Sequence, residues 1–242
     1  DASVGRWNSV DPMAADFAAW SPFSYTFNNP VRFTDPDGRA PENIVDGNGN
    51  IAYTKEGGYT KYATQDIRRV GDAMMATRSG RDQWNKMSDA NHNIAIRISS
   101  ETKVTTQADG SKSYELGKTF NKRSVSSKTF EVKSIESSEV VIYEGSLKEF
   151  VEGANSSSSS LRQSYSVNTN NIDQAVGVVA GHESVHATDM KNHQQAVENK
   201  YLGTNHDVEA VPNRVEKQIL RETGLNNIQP LQTRTIEPIK SN

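Results

Sequence analysis

The chain has 242 residues, 34% of them hydrophobic, and its mean hydropathy is -0.72. This length allows one large domain, or a short module and an ordinary domain, around a lean apolar core. The 27 basic and 30 acidic residues give a net charge of -3, which argues against nucleic acid and membrane surfaces as partners. The absence of cysteine excludes disulfides, thiolate metal ligands and a cysteine nucleophile.

No targeting or membrane segment is recognisable in the sequence. No apolar run approaches the roughly 20 residues that a membrane-spanning helix needs. No charged start followed by an apolar stretch indicates a signal peptide. The first residue is Asp1 rather than Met, so we expect a fragment or a processed product, with any export signal upstream.

Residues 1–41 are rich in aromatic residues, prolines and turn sequences, which predicts short strands joined by tight turns. Five motifs follow one another in this segment: Gly5-Arg6-Trp7, Val10-Asp11-Pro12-Met13, Ser21-Pro22-Phe23-Ser24-Tyr25, Asn28-Asn29-Pro30-Val31-Arg32-Phe33 and Asp35-Pro36-Asp37-Gly38. This ordered series resembles the end of the Rhs-associated core domain, the module that closes the shell of YD-repeat proteins.

The resemblance to the Rhs family implies that a variable toxin follows this core remnant. Many members of the family cleave themselves just after the last motif, where a small or apolar residue is usual, whereas this chain has Arg39. The family also implies delivery into a rival cell by a type VI or related bacterial secretion system. An upstream Rhs shell and a cognate immunity protein are the partners that it implies.

The next part of the chain alternates turn, helical and extended patterns. Residues 42–65 contain Asp46-Gly47-Asn48-Gly49-Asn50 and a Gly-Gly pair, which predict a hairpin or linker. The apolar spacing from Asp66 to about Arg78 predicts a helix, and the alternation at residues 94–98 predicts a half-buried strand.

A further strand region is predicted within residues 128–143. Either Val140–Tyr143 or Ser164–Val167 is a candidate for an edge strand that binds an extended peptide through backbone hydrogen bonds.

A second helix is predicted from about residue 172 to residue 188, and it contains His182-Glu183-Ser184-Val185-His186. His182 and His186 are one helical turn apart, so both imidazoles lie on one face and can bind one ion. Glu183 lies beside that face, where it can take a proton from a water molecule on the metal and pass it to the leaving amine. The pattern predicts a catalytic Zn²⁺ site.

A catalytic zinc needs three protein ligands and one open position. Glu209 is the first candidate for the third ligand, because a helix predicted over about Asp207–Thr223 could bring its carboxylate to the metal. Pro212 is acceptable near a first turn, so the helix can begin there with Glu209 at its entry. Glu216 is the reserve ligand. The alternative for both carboxylates is an ordinary polar position of the helix.

Three stretches of the sequence together resemble the gluzincin metallopeptidases: His182–His186, Glu209-Ala210 and Arg221-Glu222-Thr223-Gly224-Leu225. In that family a residue four positions after the third ligand often orients a ligand histidine, and Asn213 occupies this position.

Three more side chains are candidates for supporting roles. Asp189 lies shortly after the motif and could support a ligand, although such a position is often only a helix end. His193 and His206 are candidate stabilisers of an oxyanion, with an ordinary surface histidine as the alternative for each.

These observations predict an α+β fold with three parts. Residues 1–41 form the Rhs core β remnant, residues 42–65 a linker or hairpin, and residues 66–242 a zincin-like domain with a small mixed or antiparallel sheet and two metal-bearing helices. The predicted function is a zinc-dependent endopeptidase toxin that cuts a protein of the target cell.

Two other classes of function stay open from the sequence. One is a non-catalytic tail module that binds a partner or has a structural role. The other is a toxin of another class, such as a nuclease or a transferase, which the balanced charge and the lack of a phosphate-binding glycine loop disfavour.

Overall fold

The computed structural model describes residues 44–108, 110, 112–156, 172–223 and 234–236, and for residues 153–156 and 234–236 it describes the backbone alone. These residues belong to one compact unit, Asn43–Asn242. The core remnant predicted for residues 1–41 and the candidate strand Ser164–Val167 lie outside the described residues.

Helices and strands are mixed along the described part of the chain, as the predicted α+β class requires. The strands are β1 (Ile44–Val45), β2 (Ile51–Thr54), β3 (Gly58–Tyr59), β4 (Asn93–Ser99), β5 (Val104–Thr106), β6 (Lys112–Tyr114), β7 (Gly117–Val125), β8 (Val132–Tyr143) and β9 (Arg234–Ile236). The helices are α1 (Gln65–Met75), α2 (Arg78–Ser88), α3 (Glu144–Ser156), α4 (Ile172–Thr188), α5 (Met190–Leu202) and α6 (Ala210–Glu222).

The main sheet has six strands in the order β3-β2-β1-β4-β8-β7. It is mixed, because β4 runs parallel to both of its neighbours while the other pairs are antiparallel. Strand β7 forms one edge. A smaller antiparallel sheet has the order β5-β6-β9.

The prediction of an edge strand at Val140–Tyr143 is wrong. These residues end β8, which pairs with β4 on one side and with β7 on the other. All four are buried, and a continuous apolar run of this kind is typical of a strand covered on both faces.

The hairpin predicted within residues 42–65 is formed by β2 and β3. The turn before β2 is stabilised by Asp46, whose Oδ1 accepts hydrogen bonds from the backbone N–H groups of Asn48 and Asn50 at 2.9 and 2.8 Å. This segment is more than a linker, because β1 pairs with β4 in the main sheet.

Helix α4 lies at the centre of the fold and has the bounds that the sequence predicted. Helices α1, α2, α3 and α6 pack against it, as do strands β7 and β8. Its residues are buried on every side from Ala175 to Val185, which explains why its apolar pattern is not confined to one face. A Cβ atom on Gly181 would lie 2.1 Å from Ile219 Cδ1, so this glycine lets α6 approach closely.

Helices α2 and α5 were not predicted, and both begin at a side-chain cap directly after another helix. Thr77 Oγ1 accepts a hydrogen bond from Gly80 N, and Asp189 Oδ1 accepts from Lys191 N and Asn192 N. Such caps satisfy the first N–H groups of a helix and allow a new helix to start after one or two residues. In the described part of the chain, no helix combines the length and apolar character that crossing a membrane requires.

Candidate metal centre

Two imidazoles and one carboxylate converge where α4 meets the start of α6. Single ligand atoms from His182, His186 and Glu209 all lie within 4.8 Å of one another. Glu209 Oε2 lies 3.0 Å from His182 Nε2 and 3.4 Å from His186 Nε2. Tetrahedral zinc with bonds near 2.0–2.1 Å separates its ligand atoms by about 3.3 Å. The three side chains therefore fit the spacing of a divalent-ion site.

The other nitrogen of each imidazole is bonded to a buried acceptor. His182 Nδ1 donates to Glu216 Oε2 at 2.9 Å, and His186 Nδ1 donates to Asn192 Oδ1 at 3.0 Å. Glu216 and Asn192 are both buried. With a proton on each Nδ1, Nε2 of both rings faces Glu209, as is usual for histidines that bind a metal.

Glu209 is held at the site by the backbone of the α5–α6 loop. Glu209 is the N-cap residue of α6, but its carboxylate makes no capping hydrogen bond. The carboxylate faces the two histidines instead. Asn192 Nδ2 donates to Val208 O, and Asn199 bonds both the N–H and the C=O of His206. Pro212 falls in the first turn of α6, where a missing N–H costs no helical hydrogen bond.

Hydrogen bonds and charges within the cluster shift the pKa values of His182 and Glu209. Burial lowers the pKa of His182, but the hydrogen bonds that its ring donates to Glu209 and Glu216 outweigh burial and raise this pKa to about 9. The hydrogen bonds of His182 and His186 hold the pKa of Glu209 well below its usual range. An ion that binds His182 Nε2 displaces a proton from it, so metal binding is favoured as the pH rises toward 9.

Glu183 lies on the side of α4 that faces β7. The residue is only 2% exposed, and Thr119 Oγ1 donates to its Oε2 at 2.7 Å. Burial raises the pKa of Glu183, and the opposing effects of His182, His186 and the Thr119 hydrogen bond do not cancel that rise. A carboxylate with a raised pKa is a stronger proton acceptor, which suits a general base.

Glu216 and Asp189 lie next to the cluster of His182, His186 and Glu209 and are not part of it. Glu216 was the reserve third ligand, but it contacts Nδ1 of His182, on the opposite side of the ring from Glu209. Asp189 caps α5 and bonds the backbone N–H of Asn192, so it supports the residue that orients His186.

The structure does not place Asn213 in its expected role. Its backbone N–H donates to Glu209 O within the first turn of α6. All four ring nitrogens of His182 and His186 already face Glu216, Asn192 or Glu209, so none is left for Asn213 to orient.

The two histidines proposed as oxyanion stabilisers lie in different surroundings. His193 is fully buried, its Nδ1 accepts from Arg123 Nε at 2.6 Å, and burial with the Arg123 charge lowers its pKa to about 4. It is therefore neutral and out of reach of a substrate. His206 is partly exposed on the loop that leads to Glu209, with Nε2 2.8 Å from Glu198 Oε2, and its role stays a prediction.

Sequence reasoning missed Thr119 and Asn192. Nothing in the sequence connects Thr119 to Glu183, because β7 was not predicted. Asn192 had a usable signal, since Asp189 is a good N-cap directly after α4 and places Asn192 in the first turn of a new helix.

Comparison of the chain with protein-family models, curated proteins and solved structures gives no match.

The two asparagines give a matched test of which residue orients a ligand. Asn192→Ala should weaken zinc binding by about 10- to 100-fold, because His186 and the Glu209 loop both lose their partner. Asn213→Ala should change the zinc affinity by no more than about twofold. Competition with a chromophoric chelator measures both, and equal losses in the two variants would contradict the assignment.

Proposed function

We propose that this chain is a zinc-dependent peptidase of the zincin type, in which His182, His186 and Glu209 bind the ion. The strongest support is that the two nitrogens of each imidazole ring face different partners. Both Nε2 atoms face one carboxylate oxygen, while both Nδ1 atoms donate to buried acceptors. Two surface histidines of an ordinary helix have no reason to be constrained in this way.

The donor set agrees with zinc used for catalysis. Two imidazoles and one carboxylate are three protein ligands, which leaves one of four positions open for water or substrate. When bound, zinc polarises a carbonyl group and brings the pKa of a coordinated water close to 7. A structural zinc site would need a fourth protein ligand, and none joins the cluster among the described residues.

Glu183 supplies the proton transfers of the proposed reaction. Its carboxylate accepts a proton from the attacking water and then donates it to the amine nitrogen as the C–N bond breaks. Because Glu183 and His182 are buried, we expect the scissile carbonyl to approach from the side of His186 and Glu209. The side chains of these two residues are 18% and 49% exposed.

The biological setting of the proposal depends on the first 38 residues. Their five motifs support an Rhs-type protein whose last part is a toxin, delivered into a rival cell by a secretion system. The substrate is then a protein of that cell, and the partners are an upstream Rhs shell and an immunity protein that blocks the peptidase before delivery.

Removal of the metal should abolish peptide hydrolysis reversibly. The chain is stripped with a chelator, reloaded with one equivalent of zinc, and incubated with a mixture of proteins from a bacterial lysate. New N-termini are then detected by mass spectrometry. We expect them with the reloaded chain and not with the stripped one, and magnesium should not restore them because it prefers oxygen ligands.

Two results would contradict the proposal. One is cleavage that persists at the same rate in the stripped protein. The other is a chain that binds one zinc tightly at the described ligands and still produces no new N-termini from folded or unfolded proteins.

A further inference from the structure

We infer that Thr119 is a positioning residue for Glu183, and that its hydroxyl holds the carboxylate in the orientation needed for proton transfer. This inference rests on the proposed function. The role of Thr119 is supported by contacts between the edge strand β7 and the helix that carries the proposed metal ligands.

Alternate residues of β7 bond to the metal-bearing part of the chain. Thr119 Oγ1 contacts Glu183, Asn121 Nδ2 donates to His186 O at 3.1 Å, and Arg123 Nε donates to His193 Nδ1 at 2.6 Å. Side chains two apart in a strand lie on the same face. The inward face of β7 is therefore attached to α4 and α5 at successive points, which gives Thr119 a defined position relative to α4.

The hydroxyl of Thr119 has one hydrogen and two acceptors within reach. It lies 2.7 Å from Glu183 Oε2 and 2.9 Å from Glu183 O. Hydrogen bonds from a hydroxyl to a carboxylate are the shorter and stronger kind, so the side-chain contact is favoured. Threonine is also stiff about its first side-chain torsion, which limits the movement of the carboxylate that it holds.

Gly117 confines the same carboxylate from a second position on this face of β7. A Cβ atom on Gly117 would lie 3.0 Å from Glu183 Cγ, 3.1 Å from Glu183 Oε1 and 2.7 Å from Val179 Cγ1. The carboxylate thus has Thr119 at Oε2 and the bare backbone of Gly117 close to Oε1. Any side chain at residue 117 would force Glu183 or Val179 to move.

Thr119→Val keeps the shape of the side chain and removes the hydroxyl. We expect kcat for a cleaved peptide to fall by about 10- to 100-fold, as for other residues that orient a catalytic group. KM and the zinc affinity should change by no more than about twofold. Thr119→Ser should restore kcat, and Thr106→Val, on the exposed strand β5, is the matched control.

A purely structural role of Thr119 would lower zinc affinity and thermal stability and raise KM together, and serine would not selectively restore kcat. Should Thr119→Val fail to fold, Thr119→Ala carries the same test. Gly117→Ala should also lower kcat at unchanged zinc content, since its Cβ crowds Glu183.

Different results would overturn the role of Thr119 and the proposed function. A parent chain that cleaves peptides while Thr119→Val keeps its kcat overturns the role of Thr119 alone. A zinc-loaded parent chain that cleaves nothing overturns both.

Discussion

Glu183→Gln should lower kcat by roughly 10²- to 10⁴-fold while the chain keeps one zinc bound. The amide has nearly the shape of the carboxylate, and its oxygen can still accept the hydrogen bond that Thr119 donates to Glu183. It cannot accept the proton of the attacking water, so the change removes the chemistry and leaves the ligands in place. Zinc content by mass spectrometry and the initial rate of peptide cleavage measure the two effects separately.

The control for this variant is Glu139→Gln, which makes the same chemical change on β8, in an exposed ion pair with Arg97. It should cleave at the rate of the parent chain. If Glu183→Gln also keeps the parental rate, Glu183 is not the base and the proposed mechanism fails. If it loses zinc, the residue supports the ligands instead.

Glu209→Gln and Glu216→Gln should separate the metal ligand from the residue that orients a ligand. Structural zinc sites bind with about 10–16 kcal/mol. One ligand of four then contributes roughly 3 kcal/mol, so loss of the Glu209 carboxylate should weaken zinc binding by about 100-fold or more. Glu216→Gln keeps an oxygen for His182 Nδ1 and should cost about 10-fold.

The prediction for the two glutamates depends on their opposite positions around His182. Glu209 Oε2 lies 3.0 Å from Nε2, and Glu216 Oε2 lies 2.9 Å from Nδ1. Chelator competition on the two purified variants measures the affinities. The reverse ranking, with Glu216→Gln losing far more affinity than Glu209→Gln, would show that the ion binds on the Nδ1 side of the ring.

The central helix and its histidines were predictable because helical geometry is local. A separation of four residues puts His182 and His186 on one face of any helix, and their rings lie 5.2 Å apart in the structure. Glu209 was also selected from the sequence, because a helix predicted over about Asp207–Thr223 could bring its carboxylate to the two histidines. The expected position of Glu209 at the helix entry agrees with its place as the N-cap residue.

The residues that hydrogen-bond the two histidines and Glu183 were less predictable, because these contacts join segments that are distant in the sequence. Glu216 was considered as a ligand, yet only the packing of α6 on α4 decides which ring nitrogen it meets. Asn213 was chosen by its spacing from Glu209, whereas Asn192 is the residue that bonds His186, from a helix that the sequence pattern did not reveal. Thr119 belongs to a strand whose alternation of polar side chains carries too little apolar signal to be recognised.

The strands of the main sheet were also only partly predictable from the sequence. The strand at residues 94–98 was recognised by its strict alternation, which is typical of one buried and one open face. Val140–Tyr143 is apolar at every position and was one of two candidates for the edge strand, although a continuous apolar run indicates an interior strand. The polar strand β7 is an edge of the main sheet beside Glu183, because it pairs with β8 alone, and its side chains Thr119 and Asn121 bond to α4.

We propose that His182, His186 and Glu209 bind one zinc ion and leave a position open beside Glu183. The decisive experiment is diffraction at the zinc absorption edge from crystals of the zinc-loaded chain. We expect one ion at about 2.0–2.2 Å from both Nε2 atoms and a Glu209 oxygen, with a solvent molecule as the fourth ligand. An ion bound elsewhere, or one closed off by a fourth protein side chain, would contradict it.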